Sequence, residues 1–273
     1  MGPRYLYSYD FSGKNSSRLI PDAINPTGVR CSEDQVVYDN RGQVCVLNVV
    51  SGEKKVIADN GYRPDISGNR VIWRDRKTLN LHLYDMKDEK LREYGRVGQI
   101  FRISGDYLVR RLSGGGIGIE NLETGEKKTV DMGRVSNLDV AGGVIVTSSG
   151  GEGKRDILMY IISQDKKLVV SDSEYDEYRP ATDGKRIAWM SPINEKEFVP
   201  LPWSKLTTYT SWNNIYLYDI KTRRKKRIVH NDYMARDIRV AAEKVVWTSG
   251  RKKRPESARE HNRNPRDIYV YRD

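Results

Sequence analysis

The chain is poor in the features that mark membrane, disulfide and metal proteins. Nothing in its 273 residues approaches the roughly 18 consecutive apolar residues that cross a bilayer. The first ten residues, MGPRYLYSYD, lack the basic and apolar stretches of a secretory signal. The three histidines, His82, His230 and His261, do not share the close spacing seen in many metal sites. We therefore expect a soluble protein that has no membrane span, metal or cofactor.

Motifs of common enzymes are also missing. The Gly-x-Ser-x-Gly elbow, which carries the nucleophile of serine peptidases with propellers, does not occur. The glycine-rich stretch Gly114–Gly118 lacks the Lys-Ser/Thr of a phosphate loop, so it is expected to be a hairpin turn. These absences favour a protein that is not an enzyme.

Positive charge is in excess. The 48 Lys and Arg residues outnumber the 37 Asp and Glu residues and leave a net charge of +11, which raises the local concentration of anionic partners. Both signs are interspersed, however, as on the charged coat of a thermostable protein. A polyanion ligand is the alternative interpretation.

One sequence motif recurs six times along the chain. Its clearest copy is RPDISGNRVIWRD at residues 63–75, completed by NLHLYDMKDEKLREY at residues 80–94. The other copies begin at Val29, Phe101, Leu138, Arg179 and Ile238. Each copy has a small or turn residue at one position: Ser32, Ser67, Ser104, Ala141, Asp183 and Ala241. Alternating apolar residues, many of them β-branched or aromatic, indicate strands, so each copy predicts four antiparallel strands separated by turns.

Repeats of this length and strand content predict an all-β fold, a six-bladed β-propeller of four-stranded antiparallel blades. The sequence starts with the second half of a repeat and ends after a third strand. We therefore expect one domain over residues 1–273, its ring closed by an N-terminal strand that pairs with the C-terminal blade. In this register a strand separates Cys31 from Cys45, and two strand spacings of about 4.8 Å exceed the reach of a disulfide. Two buried free thiols are expected, which favours a reducing compartment.

The "PD…SG" and "IYLYD" phrases resemble the TolB-type β-propeller repeat, and the resemblance covers nearly all of the chain. It implies a rigid protein-binding disc that often works outside the cytoplasm, whereas the free thiols and the missing leader favour the cytoplasm. Localisation stays open between the two. The repeat serves many unrelated roles and specifies no function.

Three tryptophans, Trp73, Trp189 and Trp247, share one repeat position. Their regularity predicts packing between blades rather than a stacking surface for bases or sugars.

Two long insertions interrupt the repeat between its second and third strands, at residues 191–211 and 250–265. Because strand direction alternates, both insertions leave adjacent blades by the same face and are expected to meet. Aromatic and cationic residues are typical of interface hot spots and are also compatible with nucleic acid. The predicted partner-binding residues are Phe198, Leu201, Trp203, Tyr209, Arg251, Lys252, Lys253, Arg254, Arg259, Arg263 and Arg266. A second basic run, residues 222–227, is expected in a turn on the opposite face.

Each inner strand also carries one residue that could project towards a central channel: Arg30, Asp65, Arg102, Asp139, Ala181 and Arg239. Opposite charges alternate around part of this series and could pair between neighbouring blades, which fixes register more than it adds stability. The functional alternative is a channel that captures a small anion or the terminus of a partner.

The leading hypothesis is a non-enzymatic protein-protein interaction scaffold, which binds an unidentified protein on the face that carries the two insertions. The first alternative is binding of nucleic acid or an acidic polysaccharide through residues 251–266, which would weaken steeply with salt. The second is a propeller hydrolase or lyase that acts in the central pocket, although the sequence does not select an acid-base pair.

Overall fold

The computed structural model describes residues 7–10, 15–19, 26–151, 153–193, 212–233, 235–241, 243–249 and 267–272. The chain divides into two compact units. Unit 1 consists of Met1–Ser113 and Glu120–Glu126, and unit 2 of Gly114–Ile119 and Lys127–Asp273. The boundary runs through the third repeat. The single domain over residues 1–273 stays a prediction.

The described strands form the six antiparallel blades of a β-propeller, and the sequence prediction of this fold is confirmed. Blade one contains β3 (Thr27–Ser32), β4 (Gln35–Asn40), β5 (Gln43–Asn48) and β6 (Lys54–Ala58). Blade two contains β7 (Gly61–Ser67), β8 (Arg70–Asp75), β9 (Asn80–Asp85) and β10 (Lys90–Arg96). Blade three contains β11 (Phe101–Ser104), β12 (Tyr107–Arg111), β13 (Ile117–Asn121) and β14 (Lys127–Val130).

The later repeats form the remaining blades. Blade four contains β15 (Val135–Ala141), β16 (Val144–Gly151), β17 (Lys154–Ile161) and β18 (Lys166–Ser171). Blade five contains β19 (Tyr178–Thr182), β20 (Arg186–Pro192), β21 (Trp212–Asp219) and β22 (Arg224–Tyr233). Blade six contains β23 (Arg236–Ala241), β24 (Lys244–Ser249) and β25 (Asp267–Arg272). Within the described residues the one helical segment is a 3-10 turn, Ile162–Gln164, and no helix there could span a bilayer.

The sixth blade is described only in part. Its described part has three strands, and no pairing with an N-terminal strand occurs among the described residues. Instead, β1 (Tyr7–Asp10) and β2 (Asn15–Arg18) form a hairpin of their own, in which Tyr7 lies opposite Arg18. The closing pair between an N-terminal strand and the C-terminal blade stays a prediction.

The small-residue position ends each inner strand as expected. Inner strands end at Ser32, Ser67, Ser104 and Ala141, and Asp183 directly follows β19. In unit 1 the hydroxyls also link blades, because Gly68 N donates to Ser32 Oγ and Gly105 N donates to Ser67 Oγ. This repeat position therefore marks both a turn and a junction with the next blade.

The three repeat tryptophans pack between blades, as predicted. Trp73 lies among Val37 and Val44 of blade one, Trp189 among the apolar residues of blade four, and Trp247 among those of blade five. Each also stacks on the ring directly opposite it on the third strand, with centroids 5.5 to 5.7 Å apart. The repeated sequence motif therefore supplies the apolar core between neighbouring blades.

The thiol prediction is correct for one cysteine only. Both cysteines are free, but Cys45 is buried and Cys31 is exposed. Cys31 lies on β3, whose residues are exposed or half-buried throughout. Cys45 lies on β5, among Val36, Tyr38 and Leu47.

Candidate functional site

Four of the six inner strands have a bulge near their first residues, and the bulge holds the backbone in the left-handed region. In blades one, two, five and six the residue at this position is Gly28, Arg63, Arg179 or Asp237, with φ between 53° and 62°. The register of each of these strands shifts there. A left-handed conformation disfavours a residue with a side chain by about 1–2 kcal/mol. Bulges also re-aim side chains and are common next to functional sites.

Unit 2 has a polar pocket of about 580 Å³ at this end of its blades. The lining residues come from inner strands β15, β19 and β23, from β17, β20 and β21, and from the segments directly before β19 and β23. They are Ser136, Asn137, Arg155, Asp176, Tyr178, Arg179, Pro192, Asn213, Ala235 and Arg236. Pro192 and Asn213 lie at the end of β20 and near the start of β21, so the pocket opens where the blade-five insertion leaves the blade.

Three arginines give this pocket its charge. Arg155 Nη2 lies 3.6 Å from Asp176 Oδ2, and Arg179 Nη1 lies 3.6 Å from Asp237 Oδ1. Among the residues that the structure describes, Arg236 has no carboxylate within ion-pair distance. Asp176 is the one carboxylate among the described lining residues, which thus carry an excess of positive charge.

Fixed amides and a phenol complete the wall. The Tyr178 hydroxyl donates a hydrogen bond to Asn213 Oδ1, and burial raises the pKa of Tyr178 to about 12, so the phenol stays protonated. Asn137 Oδ1 accepts from Arg179 N at 3.3 Å and from Ser148 Oγ at 3.2 Å. These bonds hold the wall in place before any ligand arrives.

A buried carboxyl lies next to the pocket in sequence. Glu177 is 2% exposed, and its Oε1 accepts from Ser171 Oγ at 2.7 Å and from Trp189 Nε1 at 3.0 Å. Burial raises the pKa of Glu177 above its usual range. Because Glu177 N also donates to Arg155 O at 2.9 Å, this residue ties the pocket wall to the inter-blade core.

The residues predicted for the channel have defined partners. Asp65 is 5% exposed, and its carboxylate lies 3.5 Å from Arg30 Nε and 4.0 Å from Arg102 Nε. Asp65 Oδ2 also accepts from Ile103 N at 3.2 Å. In unit 2, Asp139 Oδ2 accepts from Thr182 N at 3.0 Å in the equivalent way, and Arg239 Nη1 donates to Ile238 O at 2.7 Å. A common channel for these side chains stays a prediction.

The predicted partner-binding residues, from Phe198 to Tyr209 and from Arg251 to Arg266, lie outside the described residues. The second basic run is described, and only its first part lies in the expected turn, because β22 already begins at Arg224. Of the glycine stretch 114–118, residues 114–116 lie between β12 and β13, and β13 begins at Ile117. In the described part of the chain no group of three or more His, Cys, Asp or Glu residues is placed to hold a metal ion.

Sequence reasoning missed the unit 2 pocket. Its residues are far apart along the chain, and only the fold brings Arg155, Arg179 and Arg236 to one cavity. One signal was visible: an Arg-Pro pair stands at the same repeat position in Arg63-Pro64 and Arg179-Pro180. Equivalent positions of two repeats occupy equivalent places in their blades, so an arginine at both positions is a signal of a recurring surface feature.

Comparisons with known proteins agree with this fold. No protein-family model and no curated protein sequence matches the chain. Among solved structures, the β-propeller domain of the trilobed protease from Pyrococcus furiosus, described as having an open velcro topology, is similar. Its TM-score is 0.63 at 17% identity, over 90% of this chain and 82% of that one.

Two further structures show the same likeness. The acylaminoacyl peptidase of Pyrococcus horikoshii has a TM-score of 0.62 at 15% identity, over 90% of this chain, which spans only 44% of the peptidase chain. The putative TolB of Agrobacterium tumefaciens has a TM-score of 0.55 at 12% identity, over 81% of this chain and 86% of that one. At such low identity the likeness shows the fold alone, so the chain is a six-bladed β-propeller, and its TolB-type resemblance is confirmed at the level of fold.

Proposed function

We propose that the chain is a non-enzymatic binding module that docks an acidic segment of a protein partner at the unit 2 pocket. The observation that carries the proposal is the set of three arginines around one polar cavity, at the point where the blade-five insertion leaves its blade. Arginine is enriched at interface hot spots and matches a carboxylate with two parallel hydrogen bonds.

The existing ion pairs leave room for such a ligand. Arg179 and Asp237 are 43% and 60% exposed at their side chains, and exposed pairs contribute little, about 0–1 kcal/mol. An incoming carboxylate can therefore replace Asp237 at small cost. Arg236 offers its guanidinium without a competing carboxylate among the described residues.

The predicted contact residues of the two insertions extend this proposal. Phe198, Leu201, Trp203 and Tyr209 would add apolar contacts beside the pocket, and the basic residues 251–266 would add charge. Their role stays a proposal.

Fluorescence anisotropy with a labelled acidic peptide, ten residues of alternating Glu and Gly, tests the docking site. We expect saturable binding by the full chain and none with the Gln-for-Glu peptide. Arg179→Gly suits the left-handed backbone at this position and removes the guanidinium. Because charge-assisted hydrogen bonds contribute about 1.5–3 kcal/mol, it should weaken the affinity about tenfold or more.

Arg223→Gly is the matched control. Arg223 is exposed, also has a left-handed backbone with φ 57°, and does not line the pocket. Equal weakening by both variants, or no binding of the acidic peptide at low salt, would contradict the proposed function. Replacing residues 194–211 with a short Gly-Ser linker then measures what the insertion adds to the affinity.

Binding to a polyanion is a second candidate, favoured by the exposed basic start of β22. Arg224, Lys225, Lys226 and Arg227 are all exposed there, in a chain of net charge +11. Filter binding of single-stranded DNA and heparin at two salt concentrations tests it, because released counterions make such binding fall steeply with salt. An absence of binding at low salt would eliminate this candidate.

A further inference from the structure

We propose that unit 1 carries a separate site for a small anion that bears carboxylate or phosphate groups. The site is a cavity of about 420 Å³ at the beginnings of inner strands β3, β7 and β11. Four of its lining residues are arginines, namely Arg30, Arg63, Arg76 and Arg102. This cavity shares no residue with the unit 2 pocket, so it does not depend on the function proposed for that pocket.

The charge balance of the cavity favours an anion. Asp39 is the one carboxylate among the lining residues that the structure describes, and Asp65, next to the cavity, pairs with Arg30 and Arg102. Four guanidinium groups thus face two carboxylates, which leaves an excess of positive charge. Concave sites lined by charge of one sign concentrate ligands of the opposite sign.

Arg76 is held in position from three directions. Its Nη2 lies 2.6 Å from Asp39 Oδ2, its Nε donates to Gly61 O at 3.3 Å, and its guanidinium carbon lies 5.4 Å from the centroid of the Tyr62 ring. Asp39 is itself 3% exposed and accepts from Gly42 N at 2.7 Å. A guanidinium fixed in this way loses little conformational entropy when it binds a ligand.

Arg63 is presented by the β7 bulge. Its backbone has φ 54°, and its Nη1 donates to Gln99 O at 2.9 Å. A guanidinium carries five N–H donors, so this bond leaves donors for a ligand. The strained backbone of a residue that lines a cavity is a feature that functional sites commonly show.

The equivalent position in blade one is a glycine because the two bulges approach each other. A Cβ on Gly28 would lie 2.9 Å from Pro64 Cδ, and the glycine has φ 62°. A side chain here would push the bulges of β3 and β7 apart. Gly28 and Pro64 both form part of the cavity wall.

The dimensions of the cavity suit a small molecule. Pockets for small ligands and cofactors have volumes of about 300–1,000 Å³, and this cavity falls at the lower end. The planar fork of arginine binds both carboxylate and phosphate oxygens in pairs. The shared chemistry is therefore a compact oxyanion group, and separate probes distinguish its two sources.

Isothermal titration calorimetry of the full chain with citrate and with inorganic phosphate, at constant ionic strength, tests the site. We expect saturable binding of at least one of the two. Arg63→Gly should weaken the affinity about tenfold or more, since it keeps the left-handed backbone and removes the guanidinium. Asp39→Asn should tighten it, because the amide retains an acceptor for Gly42 N but no longer neutralises Arg76.

Arg223→Gly again serves as the matched control and should leave the affinity within about twofold. Arg63→Lys retains the charge but not the fork, and we expect it to bind more weakly than the original chain. Circular dichroism melting of each variant shows that the fold is intact. The inference is overturned if neither anion binds saturably, or if Arg63→Gly and Arg223→Gly weaken binding equally. Either result is independent of whether the acidic peptide binds unit 2.

Discussion

Asp65 is the residue whose removal should disturb unit 1 most clearly. Its buried carboxylate lies 3.5 Å from Arg30 Nε and 4.0 Å from Arg102 Nε, and it accepts from the Ile103 backbone at 3.2 Å. These contacts join the inner strands of three neighbouring blades. In Asp65→Ala two partly buried guanidinium groups lose a carboxylate, and two backbone N–H groups, those of Ile66 and Ile103, lose an acceptor.

The magnitude follows from these contacts. Removing one partner from a buried ion pair destabilises a protein by about 3–5 kcal/mol, since the remaining charge is uncompensated. The arginine side chains are 21% and 25% exposed, so water compensates part of that loss, and we expect about 3 kcal/mol. Asp65→Asn retains an acceptor for Ile103 N and should lose about half as much.

Urea denaturation followed by tryptophan fluorescence measures both losses, because Trp73 is buried in unit 1. Asp88→Ala is the control, since Asp88 is exposed and such surface changes stay within about 0.5 kcal/mol. If Asp65→Ala unfolded at the same urea concentration as Asp88→Ala, the reasoning about the inter-blade carboxylate would be refuted.

Three other predictions concern buried groups. Gly61→Ala would place its methyl group 2.2 Å from Val44 Cγ2 and should lower the free energy of unfolding by about 1–3 kcal/mol in urea melts; an unchanged midpoint would contradict the packing. Burial raises the pKa of Glu177, so the folded state holds this proton more tightly than the unfolded state and loses stability as the pH rises above the usual glutamate range. Glu177→Gln should therefore be more stable than the original chain at about pH 8 and lose this advantage below pH 4.5. Thermal melts of the two proteins at both pH values measure this difference, and equal melting temperatures at both would count against the prediction. A thiol reagent should modify the exposed Cys31 rapidly and the buried Cys45 only on unfolding, and mass spectrometry showing equal rates would be the opposite result.

Much of the fold could be predicted from the sequence because each repeat carries its own strand pattern. The small residue that ends each inner strand and the tryptophan on the second strand recur in register, and both have the expected place. Closure of the ring by the N-terminal segment stays a prediction. The alternation in Tyr7–Asp10 indicates a strand but not its partner, and β2 is the partner found.

The pockets could be predicted only in part. The alternation of Arg30, Asp65 and Arg102 predicted pairing of charges, and these three side chains do meet. The contributions of Arg76 and Arg236 depend on the ends of strands from different blades, which no single repeat reveals. The left-handed bulge at Arg63 is equally invisible, because arginine has no preference for that backbone region.

The central claim is that the arginines lining the pockets of both units bind anions. The most direct test is to follow the arginine Nε–Hε signals of the full chain by NMR in two titrations. Citrate is added in the first titration and the acidic peptide in the second. The account predicts saturable shifts for Arg63 and Arg76 with citrate and for Arg179 and Arg236 with the peptide, while Arg223 remains unchanged. Equal shifts of Arg223 and the pocket arginines would contradict it.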